Sequence, residues 1–239
     1  FFYQHINVQI LSENRLEAIL KFWNFAKKYE FENIAYKLSL KGLNTIEPSE
    51  ESYNHSAKIA KAYTYGGDFN KAKKWLTFAE NITTNPELLF ELNSSKLLYE
   101  LYNIDENINL SDVLFNNLQY MNDNLIDKNN SEYFVKNEIL SVIFSLLNEE
   151  IDNPYSVEKK IFDNRKIPSI YLINLFKDPN LKRNQSYLLL TIIASMNDKN
   201  WNEIHPLHLG LILNAVKEYK SGFILNDILI EILQQAKII

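Results

Sequence analysis

Cysteine is absent from this chain of 239 residues, which excludes disulfide bonds, thiol catalysis and cysteine-ligated zinc sites. Glycine and proline are scarce, with 5 and 6 residues, and so few turn residues argue against a sheet-rich fold of this size. Basic charge is not in excess, because Lys and Arg total 25 against 30 Asp and Glu. Nucleic-acid binding, which draws affinity from neutralised phosphates, is therefore not expected.

Long apolar runs are also missing. The longest candidate, Tyr187 to Met196, contains Thr191 and Ser195 and ends at Asn197, whereas a membrane span needs about 20 apolar residues. We therefore expect a soluble chain without a membrane span, in either the cytoplasm or the periplasm. The chain begins with Phe1 rather than Met, so we expect that it is processed or continues upstream.

Apolar residues recur along most of the chain at the i, i+3, i+4 spacing of one helix face. The first helix is predicted over 13–29 with Ser12 as its N-cap, and the second runs from residue 31 to about Gly42. Pro48 and Ser49 are predicted to open the third, and Gly67 to precede the fourth. Further helices are predicted at about 87–103, 111–121, 132–149, 157–164, 168–177, 185–196, 206–220 and 223–237.

Two segments depart from the simple amphipathic pattern. Residues 4–10 alternate apolar and polar side chains, as a strand does. A lone strand has nothing to pair with, so we expect a helix here; the alternative is a strand whose partner lies in upstream chain. Residues 139–147 are apolar nearly all round, which predicts a central helix. Trp23 and Trp75 lie on apolar helix faces and are expected in the core.

One stretch matches a repeat pattern of large and small residues around a Gly-Asp-aromatic turn. The residues that carry it are Ile59, Ala60, Tyr63, Gly67, Asp68, Phe69, Ala72, Leu76 and Ala79. They resemble the tetratricopeptide (TPR) repeat, in which small residues let two helices approach closely. Ser56, Ala60 and Thr84 depart from the usual aromatic, Gly and Pro of that pattern. A weaker copy covers 16–41, so the resemblance spans mainly residues 16–86.

A second resemblance is to a group of bacterial, largely alphaproteobacterial, helical-repeat proteins. It rests on a Gly-x4-Ala-x2-Trp-Leu turn and helix and on a later His-Pro-Leu helix start. The matching residues are Gly67, Ala72, Trp75, Leu76, His205, Pro206 and Leu207. This resemblance implies a helical-repeat fold and names no activity.

We therefore predict an all-α fold of stacked antiparallel helix hairpins, a TPR-like α-solenoid that becomes irregular toward the C-terminus. Residues 1–12 are expected to be an N-terminal extension, 13–86 the TPR-like helix pairs and 87–239 further hairpins of the same solenoid. Such stacks present a concave surface to peptides or proteins. The expected function is a non-enzymatic protein-interaction module or a subunit of a complex.

The TPR resemblance also implies which residues face the groove. On the first helix of the repeat these are Asn54, Ala57, Lys61, Thr64 and Tyr65. Lys61 could meet a partner carboxylate, and Tyr65 offers an amphipathic contact surface. The candidate partner-binding residues are thus Asn54, Lys61, Thr64 and Tyr65; the alternative is that they simply face solvent.

The alternative function is an all-α enzyme with a buried site. The chain contains no GxSxG, HExxH, GxGxxG or P-loop motif, and we expect no catalytic residue, metal or cofactor. His205 and His208 are spaced as a metal pair, but Pro206 at a helix start favours a capping or surface role. Residues 127–138 resemble a calcium loop that ends at Glu138, although Glu132 replaces the required glycine. The acidic residues 149–152 fit a solvated helix end.

The predicted C-terminal helix is apolar on more than one face. Its apolar residues are Ile224, Leu225, Ile228, Leu229, Ile230, Ile232 and Leu233. Terminal repeats normally need a polar outer face. This helix should therefore be covered by preceding helices, by further chain or by another subunit, which leaves self-association as one of three alternatives.

Overall fold

The computed structural model describes residues 1–81, 85–103, 131–147, 165–219 and 222–239, with a few positions between 112 and 119. Within these ranges every regular element is an α-helix or a 3₁₀ helix, and none is a strand. The all-α prediction is therefore confirmed. None of the described helices is long and apolar enough to cross a membrane. The chain divides into two compact units, residues 1–108 and 109–239.

Unit 1 (residues 1–108) consists of consecutive helices that pack on their neighbours in sequence. They are α1 (Phe2–Val8), α2 (Ser12–Lys28), α3 (Glu32–Leu43), α4 (Ser56–Tyr65), α5 (Phe69–Glu80) and α6 (Pro86–Tyr102), with a 3₁₀ turn at Tyr53–His55. Helix α4 packs against α3, α5 and α6 and is the centre of the unit. Its Ala60 and the Ala72 and Ala79 of α5 are almost wholly buried, as expected where two helices approach closely.

Helix α1 packs closely against α3, where Ile6 lies over Gly42. Residues 4–10 were expected to be helical, and α1 confirms this for residues up to Val8. Ile6 of α1 is buried, and a Cβ at Gly42 of α3 would lie only 2.6 Å from the Ile6 Cγ2 atom. The Arg15 guanidinium donates to the Gln9 carbonyl and to the Thr45 hydroxyl, which ties α2 to the ends of α1 and α3.

Two predicted helix starts are wrong. Ser12 is the first helical residue rather than the N-cap, and the preceding Leu11 offers no capping side chain. Pro48 does not open α4, which begins only at Ser56. The start of α5 follows its sequence signals instead: Gly67 has φ of +77°, and the Asp68 carboxylate accepts a hydrogen bond from the Lys71 amide at 3.2 Å.

Unit 2 (residues 109–239) is organised around a single helix. Its helices are α7 (Ser131–Leu147), α8 (Ile170–Lys177), α9 (Gln185–Met196), α10 (Pro206–Glu218) and α11 (Gly222–Gln235), with 3₁₀ turns at Leu181–Arg183 and Trp201–Glu203. Helix α10 packs against α7, α8, α9 and α11. The predicted helix at 157–164 lies outside the described residues, and the one at 111–121 lies largely outside them.

Two helices of unit 2, α7 and α11, bury many of their apolar residues within the chain itself. Helix α7 buries Phe134, Ile139, Leu140, Ile143, Phe144 and Leu146, and α11 buries Ile228, Leu229, Ile230, Ile232 and Leu233. The apolar C-terminal helix was expected to be covered by preceding helices, by further chain or by another subunit. For these five residues of α11, burial within this chain is sufficient. Both predicted core tryptophans of unit 1, Trp23 and Trp75, are also buried, which confirms that prediction.

A largely buried ion pair, with both side chains of intermediate exposure, joins distant parts of unit 2. The Arg165 guanidinium pairs with the Glu138 carboxylate of α7, and each side chain is only 13% exposed. Arg165 also donates to the Ile204 carbonyl at 3.4 Å, just before α10. A buried ion pair is sensitive to loss of either member, because the remaining charge is left without compensation.

Candidate functional site

A groove in unit 1 is the strongest candidate for a binding site. Its volume is about 440 Å³, within the range of ligand clefts, which is roughly 300–1,000 Å³. It is lined by Lys37, Leu40, Thr64, Tyr65, Gly66, Gly67, Phe69 and Tyr102. These residues belong to α3, the end of α4, the turn after it, the start of α5 and the end of α6. We call this cleft the α4 groove.

Aromatic rings fix one wall of the α4 groove. Tyr65 stacks on Tyr36 of α3 with centroids 5.6 Å apart and an interplanar angle of 9°. Tyr65 and Tyr102 of α6 form an edge-to-face pair with centroids 5.8 Å apart. At the start of α5, Phe69 meets Tyr99 edge-on at 6.0 Å. Such contacts hold the rings in defined orientations, so the wall is formed before any ligand arrives.

A charged cluster lies beside the groove on α4. The Lys61 ammonium lies 5.9 Å from the centre of the Tyr36 ring, and the carboxylates of Glu32 and Glu91 attract it from α3 and α6. Burial lowers the pKa of Lys61, and these two carboxylates oppose that lowering. The pKa of the Tyr36 phenol is raised, mainly by burial and to a smaller extent by the negative charge of Glu32. Lys58 pairs with Glu91 at 3.4 Å.

The four candidate residues do not share one surface. Thr64 and Tyr65 line the α4 groove, yet Thr64 is only 1% exposed and its hydroxyl donates to the Ala60 carbonyl at 3.0 Å. Lys61 is half-buried in the charged cluster. Asn54 is exposed on the 3₁₀ turn before α4. The groove thus brings together two of the four residues, and the partner-binding role of all four stays a prediction.

Sequence reasoning missed four groove residues on other helices. They are Lys37, Leu40, Phe69 and Tyr102. The repeat pattern points to one face of a single helix, whereas this groove forms where four helices and one turn converge. The repeat pattern includes Phe69 only as the aromatic residue of the Gly-Asp-aromatic turn and does not indicate that it lines a groove. No local signal in the sequence pairs the end of α6 with the end of α4.

The histidines of unit 2 have structural roles. The His205 ring nitrogen Nδ1 accepts a hydrogen bond from the Leu207 amide at 3.1 Å and caps α10, as predicted. His208 is buried rather than on the surface, with its Nε2 atom 3.1 Å from the Ser195 hydroxyl of α9. Ser195 donates to the Ile192 carbonyl at 2.8 Å. With the Ser195 proton directed to Ile192, the tautomer of His208 that carries its proton on Nε2 completes this chain by donating to Ser195.

The other candidate metal ligands are accounted for as far as the structure describes them. Glu138, the last position of the calcium-like sequence, pairs with Arg165. Residues 127–130 and the acidic residues 149–152 lie outside the described ranges. Among the residues that are described, no group of three or more His, Cys, Asp or Glu side chains could hold a metal ion.

His208 gives unit 2 a predicted pH dependence. Burial lowers its pKa, and the nearby positive charges of Lys199 and His205 lower it further. Because the folded state then binds the proton less well than the unfolded state, stability is fully present above the ordinary pKa of about 6.5 and is lost as pH falls below it. We expect the urea midpoint of unfolding to decrease from about pH 7 to about pH 5.

The variant His208→Gln, whose amide can still donate to Ser195, should flatten this decrease. Burial also lowers the pKa of His55 in unit 1, so hydrogen exchange of peptides from α9 and α10 is the readout that isolates His208. Equal pH dependence of those peptides in the variant and in the original protein would contradict the assignment.

No protein-family model, curated protein or solved structure matches this chain.

Proposed function

We propose that unit 1 is a non-enzymatic protein-interaction module whose α4 groove binds an extended peptide. The observation that carries the proposal is the groove itself: an open cleft of about 440 Å³ with aromatic walls and an exposed lysine at its edge. Clefts of this kind, mostly apolar with a few placed polar groups, are typical of binding sites.

Support for a TPR-like arrangement comes from the order and packing of the helices. Helices α2 and α3 pack as one pair and α4 and α5 as another, while α6 packs on α4 as the first helix of a following pair would. The small residues Ala60, Ala72 and Ala79 lie at the contact between helices. These features fit the repeat resemblance of residues 16–86 and a stack that offers peptide-binding surfaces.

The lining of the groove indicates the chemistry of the peptide. Leu40, Phe69 and Tyr102 offer partly exposed apolar and aromatic surface, which suits an apolar or aromatic side chain of the ligand. Tyr65 adds little surface because it is only 7% exposed. Lys37 is the cation of the lining, so an acidic residue next to that side chain is expected. Lys61 is not assigned a ligand contact, because Glu32 and Glu91 already lie beside its ammonium group.

The test compares two lysines on the same helix. Lys37 lines the groove, whereas Lys41, one turn further along α3, is also exposed but is not part of the lining. A display library of random peptides is selected against the intact chain, and the affinities of enriched peptides are measured by fluorescence anisotropy. We expect acidic peptides with an aromatic or aliphatic anchor, and Lys37→Glu should weaken them about tenfold, equivalent to ~1.4 kcal/mol.

The matched variant Lys41→Glu should bind these peptides as the original chain does. Phe69→Ala, which removes an apolar wall, should weaken binding regardless of peptide charge. If no peptide is enriched, or if both lysine variants bind equally well, the groove is not a peptide site and the proposal fails.

A further inference from the structure

Helix α9 of unit 2 exposes a row of large apolar side chains. Tyr187, Leu190 and Ile193 are 47%, 65% and 67% exposed, and their spacing of three residues places them on one side of the helix. The buried side of α9 carries Leu188 and Ile192. All twelve residues of α9 are uncharged. Its outer side is therefore apolar, although it faces away from the unit's own core.

Basic side chains flank this row at both ends of α9. Arg183 lies in the 3₁₀ turn just before the helix, and Lys199 follows its last turn; both are exposed. Lys177, at the end of α8, is exposed as well. These three cations form no ion pair with any residue that the structure describes. The apolar row is thus framed by available positive charge.

The basic character is local to this part of the chain. Residues 165–204 contain three Asp or Glu and six Lys or Arg, of which Arg165 is paired with Glu138, whereas the whole chain has a net charge of −5. Two of those three acids are engaged in local hydrogen bonds: Asp178 accepts from the Asn180 amide at 2.9 Å and Glu203 from the Asn200 amide at 2.8 Å. The same stretch exposes a second set of apolar residues on and before α8, namely Ile167, Ile170 and Tyr171.

We propose that α9 and its flanking cations bind the surface of an anionic lipid membrane, with α9 lying in the plane of the interface. Apolar and aromatic side chains that enter the boundary between headgroups and acyl chains, together with Lys and Arg that meet anionic headgroups, define this mode of binding. Tyr187 suits it because tyrosine is amphipathic and favours the membrane interface. This role is independent of the peptide groove in unit 1.

A second copy of the chain is a poorer occupant of the same surface. Cations stand at both ends of α9, so an antiparallel pair of these helices would bring Arg183 of one copy next to Lys199 of the other. A parallel pair would bring identical cations together. Like charges across an interface oppose association. The headgroups of an anionic bilayer, in contrast, can pair with the cations at both ends of α9 at the same time.

The test is co-sedimentation of the full chain with vesicles of phosphatidylcholine alone or mixed with phosphatidylglycerol. We expect at least about tenfold stronger binding to the mixed, anionic vesicles, and weaker binding as salt rises. Leu190→Glu with Ile193→Glu should lower this binding about tenfold or more, because charge replaces the inserting surface. Arg183→Gln with Lys199→Gln should remove the preference for anionic vesicles.

The control is a matched pair of exposed apolar residues in unit 1, Ile34 and Leu38 of α3, which are 59% and 48% exposed. Ile34→Glu with Leu38→Glu should leave vesicle binding unchanged. All substituted residues are exposed, and circular dichroism verifies that each variant is folded. Absence of vesicle binding, or equal binding by the α9 variant, overturns the proposal. A dimer in light scattering that the α9 variant disperses, without vesicle binding, assigns the surface to a second copy instead.

Discussion

Replacing Glu138 with Gln is expected to lower the free energy of unfolding of unit 2 by about 1.5–3 kcal/mol. The carboxylate of Glu138 pairs with Arg165 where both side chains are only 13% exposed. The amide that replaces this carboxylate can accept a hydrogen bond but carries no charge, so the Arg165 guanidinium would lose the attraction of the Glu138 charge at a poorly solvated position. Urea unfolding followed by circular dichroism measures the total effect, and hydrogen exchange of α7 and of residues 165–176 locates it.

Two comparisons make this prediction specific to burial. Glu138→Leu combined with Arg165→Leu should be much less destabilising than Glu138→Gln alone, because no buried charge is left. In the exposed pair of Glu17 and Lys21, each side chain is 65% exposed, and Glu17→Gln should leave the unfolding midpoint essentially unchanged. A Glu138→Gln protein as stable as the original would show that the ion pair contributes nothing to unit 2.

Replacing Trp23 with Ala is expected to lower the free energy of unfolding of unit 1 by about 3–5 kcal/mol. Trp23 is buried between α2 and α3, where its ring meets the edge of Tyr36 with centroids 5.0 Å apart. Its indole nitrogen donates to the Ser39 hydroxyl at 3.0 Å. The substitution removes a large packed volume and a buried hydrogen bond together. Thermal and urea unfolding of the full chain measure the loss.

Two smaller changes separate the packing effect from the hydrogen bond. Trp23→Phe keeps an aromatic ring but removes the indole donor, and should cost less than Trp23→Ala. Ser39→Ala leaves the buried indole without an acceptor, which should cost about 1–3 kcal/mol; it also removes the bond from the Ser39 hydroxyl to the Tyr36 carbonyl, 2.9 Å long. If Trp23→Phe were as destabilising as Trp23→Ala, packing would not be the main contribution of this residue.

Helix positions were largely predictable because they depend on periodic apolar residues. The segments that became α2, α3 and α5 each show one apolar face, and their ends fall within a few residues of the expected limits. The start of α4 was misplaced because competing local hydrogen bonds occupy residues 49–52. There the Ser49 amide donates to the Ser52 hydroxyl at 2.9 Å, and such side-chain bonds offer the backbone an alternative to helix.

The α4 groove was predictable only in part, for a different reason. Thr64 and Tyr65 follow from the expected face of one helix. Leu40 and Tyr102 reach the same cleft from positions far away in the sequence, and their meeting depends on how helices cross. Helix crossing is decided by the fit of side chains in three dimensions, which the periodicity of any single helix does not encode.

The adjacent glycines at the end of α4, Gly66 and Gly67, are required for two different physical reasons. Gly67 has φ of +77° and open space around it, so the backbone angle favours glycine there, and Asn is the natural substitute. Gly66 has an ordinary φ of −83°, but a Cβ there would overlap the Leu40 side chain. A mutation at 67 would thus act through strain in the turn, whereas one at 66 would displace Leu40 and reshape the cleft while leaving the backbone relaxed.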